Sequence, residues 1–302
     1  MHSADKIEQT LFKSRTSHFI SFIIIQEEPM FKHIFVSLLL ILACASSAIA
    51  QTAQEVITPA GPPAASDETM RSLELNTGVQ NLSGGYGNWR EVTLRGTYGM
   101  PSHLLQAELS AQRRFNKDGV FIGFSDTYTF NEDWYGFLGV GAGDGAFFLP
   151  RYRVDAALYR KLLPNRNLVV NVGAGYYKAP DIYNDRNISL GASYYFSAPL
   201  VLEGGVRMNI SNPGSVRTQQ QFAALTYGRD KQDIVSARYA WGSEGYLAVG
   251  PSTQMVNFES REVNVSWRHW FNPRTGVLVS ANRYDNPLYR RTGVNVGIFH
   301  SF

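Results

Sequence analysis

The chain has 302 residues, of which 44% are hydrophobic, 13% aromatic and only 18% charged, with a formal net charge of +3. So slight a charge, with no basic cluster interleaved with aromatics, sets nucleic acid aside as a partner. No run of roughly 20 apolar residues in the body of the chain would cross a bilayer as a helix. The single cysteine, Cys44, excludes an intramolecular disulfide and a Cys₄ or Cys₂His₂ zinc site.

Residues 1–29 read poorly as a start. A short apolar run, Phe19 to Ile25, is followed by Glu27, Glu28 and Pro29. Met30 is the better start, which makes 1–29 a non-native extension from a start-site error. Residues 30–50 then form a signal peptide, with Lys32 and His33 as the basic region, Ile34 to Ala43 as the apolar region and Ala48-Ile49-Ala50 as the small-x-small cleavage site. A rival reading takes Ile41-Leu42-Ala43-Cys44 as a lipoprotein box with Cys44 acylated, although Leu42 fits that box poorly. Both readings export the chain. Residues 51–70, with Pro59, Pro62 and Pro63, form a flexible periplasmic leader.

From Arg71 the texture becomes uniform. Period-two segments alternate with turn clusters. Val92, Leu94, Gly96 and Tyr98 oppose Glu91, Thr93, Arg95 and Thr97. Ile188, Leu190, Ala192 and Tyr194 oppose Asn187, Ser189, Gly191 and Ser193. The spacing predicts about fourteen strands, at 71–82, 88–99, 103–115, 119–130, 134–142, 150–162, 167–177, 185–196, 200–210, 217–229, 231–242, 256–271, 275–285 and 290–302. No helical period competes. The expected fold is all-β, a single domain over 71–302 forming a closed antiparallel transmembrane β-barrel.

Three features favour a membrane barrel over a soluble sheet. Connections after even-numbered strands are short, as at Met100-Pro101-Ser102 and Asn272-Pro273-Arg274, and most after odd-numbered strands are longer, as at 143–149 and 242–255. That places both termini in the periplasm of a Gram-negative bacterium. Aromatics gather near strand ends, among them Trp89, Tyr98, Phe115, Phe130, Trp134, Tyr152, Trp241, Trp270, Tyr284 and Phe302, which suits two interfacial girdles. The last strand carries Val294, Val296, Ile298 and Phe302 on one face and ends on an aromatic, the pattern of the signal that the barrel-assembly machinery reads. An open sheet would leave edge groups unpaired in hydrocarbon, so the first and last strands must pair.

The inward face is expected to carry Glu91, Arg95, Glu108, Arg153, Asp155, Glu203, Arg207, Arg238, Glu262 and Arg268 as lumen-lining residues. Their mixed sign favours pairing across strands and a narrow or gated lumen over a strongly selective pore. No catalytic residue is assigned. His103, His269 and His300 read as interfacial polar residues and none sits on an expected extracellular loop. The glycines from Gly139 to Gly145 lead into a strand and not a phosphate-binding helix. No cofactor or metal is expected.

The stretches DIVSARYAWGSEGY (Asp233 to Tyr246) and EVNVSWRHWFNPRTGVLVSANRYDNPLYRRTGVNVGIFHSF (Glu262 to Phe302) carry a further signal. Their sequence of strand, Gly-rich loop, strand, short turn and aromatic-ended hairpin resembles the YaiO family of outer-membrane β-barrels, most of all over the last third. The resemblance implies an integral outer-membrane protein, associated in some bacteria with exopolysaccharide production, and brings no catalytic residues. The expected function is a narrow channel for polar or glycan-like solutes. The alternatives are a non-transporting docking barrel and, less favoured, a lipid-modifying barrel enzyme. The expected partners are outer-membrane lipids, the barrel-assembly machinery and polysaccharide export components.

Overall fold

The computed structural model describes residues 71–250 and 253–302. The expected extension, signal peptide, leader and Cys44 lie outside them. The described residues form fourteen strands: β1 Arg71–Leu82, β2 Asn88–Gly99, β3 His103–Arg114, β4 Lys117–Thr129, β5 Trp134–Gly143, β6 Tyr152–Leu162 and β7 Leu168–Lys178, then β8 Asn184–Tyr195, β9 Leu200–Asn212, β10 Val216–Gly228, β11 Asp233–Ala248, β12 Gln254–Asn272, β13 Thr275–Asp285 and β14 Arg290–Ser301. Each strand pairs antiparallel with its sequence neighbours, and β1 pairs with β14, so the sheet closes into a barrel.

The pattern of burial inverts that of a soluble protein. Large apolar side chains are exposed at alternate positions, such as Leu94, Ile122, Leu138, Leu190, Val263 and Ile298. Gln80, Glu91, Thr93, Ser110, Gln112 and Arg114, at positions of the opposite parity, are buried. An apolar outer face with a polar interior is the arrangement that hydrocarbon stabilises. Val294, Val296 and Ile298 lie on the exposed face of β14, and Phe302 beyond its end is also exposed.

The closing seam is keyed by glycine. In the β1–β14 register Asn76 faces Gly297, Gly78 faces Asn295 and Gln80 faces Gly293. A Cβ at any of these glycines would overlap the amide side chain opposite. The three pairs therefore fix one register, because a shift by one residue would turn every side chain to the other face.

Connections cluster at two ends. The terminal end holds Arg71, Phe302 and the turns at 100–102, 130–133, 163–167, 196–199, 229–232 and 273–274. There Arg166 bonds to Asp133 and Glu132, which together hold its pKa above the ordinary guanidinium range. The far end holds the other connections. The contrast in loop length is smaller than expected. β9 runs on to Asn212 and β10 resumes at Val216, whereas the β3–β4 connection, an exception already in the sequence, passes through Phe115 and Asn116, both at positive φ. The largest correction concerns 242–255. It is mostly not loop: β11 continues to Ala248 and β12 begins at Gln254, so a long hairpin extends beyond the neighbouring strands. The apolar alternation that marks a lipid-facing strand ends where the strand leaves the lipid, although the hydrogen-bonded ladder goes on.

Candidate functional site: the barrel interior

The candidate site is the interior, which falls into three zones. At the terminal end, on the β1–β3 and β12–β14 wall, Glu74 joins two arginines. Its Oε1 lies 3.5 Å from Arg95 and its Oε2 3.4 Å from Arg268. Arg95 also bonds to Glu108 at 2.8 Å, its directly opposed partner across β2–β3. The Arg268 guanidinium lies over the Phe299 ring, 3.8 Å from its centroid, and beside Trp270. On the opposite wall, β5 to β8, Tyr135 and Tyr159 stack with centroids 4.5 Å apart, with Val169 buried against them.

The middle zone is hollow. Two cavities, each with about 90 Å³ of room for water-sized spheres, open along the β2–β11 wall. The first is lined by Arg95, Glu108, Arg153, Asp155 and Arg207 together with Phe121, Phe137, Asn171 and Asn187. The second is lined by Glu203, Arg207 and Arg238 together with Tyr135, Tyr159, Tyr195 and Phe222. Arg153 lies over Phe121 and Arg238 over Phe222, at 5.0 and 4.6 Å from the ring centroids. Arg153 also approaches Asp155 at 3.8 Å, and Ser193 donates to Glu203 at 3.2 Å. Aromatic faces thus alternate with charged and amide groups around the space.

The far end is filled. Leu82, Trp89, Tyr284 and Tyr289 pack with Leu247, Val249 and Phe258 from the β11–β12 hairpin, all buried. Two arginines enter this cluster. Arg114 lies over Trp89 and Phe148, and Arg291 over Trp89 and Tyr284. They are 2% and 3% exposed, and Trp89 and Tyr284 only 1%. Arg291 bonds to Glu262 at 2.9 Å, and Tyr284 Oη donates to Glu244 at 2.9 Å. On the hairpin's other side Tyr246 Oη donates to the Pro213 carbonyl at 2.6 Å and its ring meets Tyr183. The hairpin therefore contacts both sides of the far opening. Among the described residues, Trp89 Nε1 and Arg114 Nε find no hydrogen-bond acceptor.

The ten charged residues named from sequence are distributed over these zones. Arg95, Glu108 and Arg268 belong to the terminal-end network, with Arg95 and Glu108 also reaching the first cavity. Arg153, Asp155, Glu203, Arg207 and Arg238 surround the cavities. Glu262 belongs to the far cluster, and Glu91 is buried on its β2 side, two residues from Trp89. Glu74, Arg114, Glu244 and Arg291 were not expected there. Four aromatics also change place: Trp89 and Tyr284 are plug residues, Trp270 packs inward on Phe299, and Phe115 packs on Trp89, so none belongs to a lipid-facing girdle.

The three histidines among the described residues lie outward at the terminal end. His103 Nδ1 is 2.7 Å from Asp126, His269 Nδ1 2.9 Å from Asp233, and His300 Nδ1 2.8 Å from Thr275 Oγ1. Each also meets an exposed ring: Tyr128, Trp267 with Phe271, and Phe302. Among the described residues no group of three His, Cys, Asp or Glu is placed to hold a metal ion.

The model of the YaiO membrane beta barrel domain matches residues 70–247. The match takes in Asp233 to Tyr246 and ends before Glu262 to Phe302, the stretch in which the likeness read from sequence was greatest. No curated protein matches the chain. Among solved structures the barrel is similar to the CymD monoaromatic hydrocarbon channel, with a TM-score of 0.52 at 10% identity over 77% of this chain and 87% of that one. It is similar to a bacterial polysaccharide outer membrane secretin with the same score and identity, over 77% and 98%. At such identity the likeness is one of fold.

Proposed function

The chain belongs to the YaiO membrane β-barrel family, and from that premise we propose that this outer-membrane barrel is a narrow, gated conduit for polar, glycan-like solutes, with both termini in the periplasm. The observation that carries the proposal is the pair of interior cavities, where Phe121, Phe222 and the Tyr135–Tyr159 stack stand beside arginines, carboxylates and amides. A saccharide has apolar C–H faces that pack on aromatic rings and hydroxyls that bond to such groups. Charges of both signs, paired along the wall, give no strong ion selectivity. In this reading the ten inward charged residues line the route and the β11–β12 hairpin is its gate. Lipids cover the apolar staves, the assembly machinery reads Val294, Val296, Ile298 and Phe302, and polysaccharide export components supply or receive the solute. No catalytic step is part of the proposal.

A second reading, a docking barrel without transport, draws support from the plug of Trp89, Arg114, Tyr284 and Arg291. Liposome swelling separates the two. Vesicles containing the protein should swell in isotonic mono- and disaccharide and slow steeply with larger oligosaccharides. Swelling no faster than in protein-free vesicles would favour the docking barrel.

A further inference from the structure

The outer surface of the far rim has a feature that the interior does not explain. Asp285 ends β13 facing outward, and three arginines surround it on the same face. Arg283 precedes it by two residues, Arg290 is its partner on β14 and Arg261 its partner on β12. Arg283 donates to Asp285 from Nε and Nη2 at 2.8 and 3.3 Å, and Arg290 from Nε at 2.8 Å. A guanidinium has five N–H donors, so one carboxylate satisfies few of them. The three arginines exceed Asp285 by two charges, and Glu259, next to Arg261 on the same face of β12, reduces the excess to one. All three arginines are exposed, Arg283 and Arg290 by more than half of their side chains.

Directly below the patch the same outward face turns apolar, with Val263 opposite Arg283, then Val265 and Ala281, and Val294 and Val296 on β14. A second pair, Arg90 and Arg113, stands directly opposed on β2 and β3 at the same rim. Like charges set opposite each other destabilise a sheet unless an anion lies between or beside them, and Arg113 has Asp118. The terminal rim is different: its outward positions carry Tyr98, Tyr128, Phe130, Tyr227, Phe271 and Phe302, and its outward Arg71 and Arg160 lie singly over the Tyr98 and Trp134 rings.

We propose that Arg261, Arg283 and Arg290 form a binding site for the phosphorylated headgroup of an outer-leaflet glycolipid, a lipopolysaccharide of the bisphosphoryl lipid A type, with its acyl chains along Val263, Val265, Val294 and Val296. The planar forked guanidinium suits a phosphate monoester, which offers several oxygens and close to two charges, better than a phosphodiester with one charge. Asp285 pins Arg283 and Arg290 through their Nε atoms and so orders the cluster before the lipid arrives. The site rests on the orientation proposed above, with the far end at the outer leaflet.

The test uses the full barrel in detergent micelles, with folding verified by heat-modifiable migration. Binding of bisphosphoryl lipid A, dephosphorylated lipid A and phosphatidylglycerol is measured by native mass spectrometry for the wild type, the triple variant R261A/R283A/R290A and the triple lysine variant. The wild type should prefer bisphosphoryl lipid A at least tenfold over both other lipids. The alanine variant should lose that preference, and the lysine variant should retain a weaker one. Equal binding of the three lipids by the wild type, or an undiminished preference in a folded alanine variant, overturns the site. Leu288→Cys, on the adjoining exposed turn, is labelled in intact cells with an impermeant maleimide. Labelling together with either of those overturning results removes the site and spares the orientation; absence of labelling overturns both.

Discussion

The two ends of the barrel solve opposite problems. The terminal end is aromatic and histidine-rich outside, and its interior charges are arranged in pairs along the wall around Glu74. The far end is ringed by arginines outside and filled inside by a hairpin, two arginines and a cluster of rings. Between them runs one apolar band. The difference teaches that the strand alternation builds the wall, while the ends carry the properties that distinguish this barrel. A wall needs only alternate apolar residues; an end must meet a particular headgroup or close a particular opening.

The seam that both ends share should be the most sensitive position. Gly297→Val would drive Asn76 from its place across β1–β14, and refolding into vesicles should fail to give the heat-modifiable band. A normal yield of folded barrel would remove the keyed seam from the account. Next comes the far-end plug. Trp89→Ala deletes the ring beneath Arg114, Arg291 and Tyr289 and should cost roughly 3–5 kcal/mol in urea-unfolding stability, as for large aromatics in other cores. The terminal-end network should be less sensitive. Glu74→Ala leaves Arg95 and Arg268 short of a partly buried carboxylate, an effect of about 2 kcal/mol by the usual worth of a charged hydrogen bond. If Glu74→Ala cost more than Trp89→Ala, the contrast between the two ends would be reversed. Least sensitive is the outer terminal rim. His103→Gln breaks a half-buried pair with Asp126 and should change stability by about 1 kcal/mol.

The wall was legible in sequence because its physical rule is simple. Leu94 facing lipid puts Arg95 on the other face, and the same parity that turns Glu91 inward turns Trp89 inward too. Trp89 and Tyr284 nonetheless read as girdle residues, since plug and girdle both place aromatics near strand ends and only parity separates them. Glu74, between Leu73 and Leu75, carried the same signal. The far-end hairpin was not legible. Beyond the lipid band, outward positions such as Asn257, Glu259 and Arg261 need not be apolar, so the period-two signal vanishes although β11 and β12 continue. Its contacts with Trp89 on one side and Pro213 on the other depend on closure of the whole sheet.

In the proposed reading the β11–β12 hairpin is the gate of a barrel with a hollow middle. Single-channel recording in planar bilayers tests it most directly, comparing the wild type with a variant in which residues 244–258 are replaced by an Asn-Gly turn joining Ser243 to Glu259, which already face each other across β11–β12. The wild type should give small, intermittent currents and the trimmed barrel a steady current several-fold larger. Silence from a folded, trimmed barrel would contradict it.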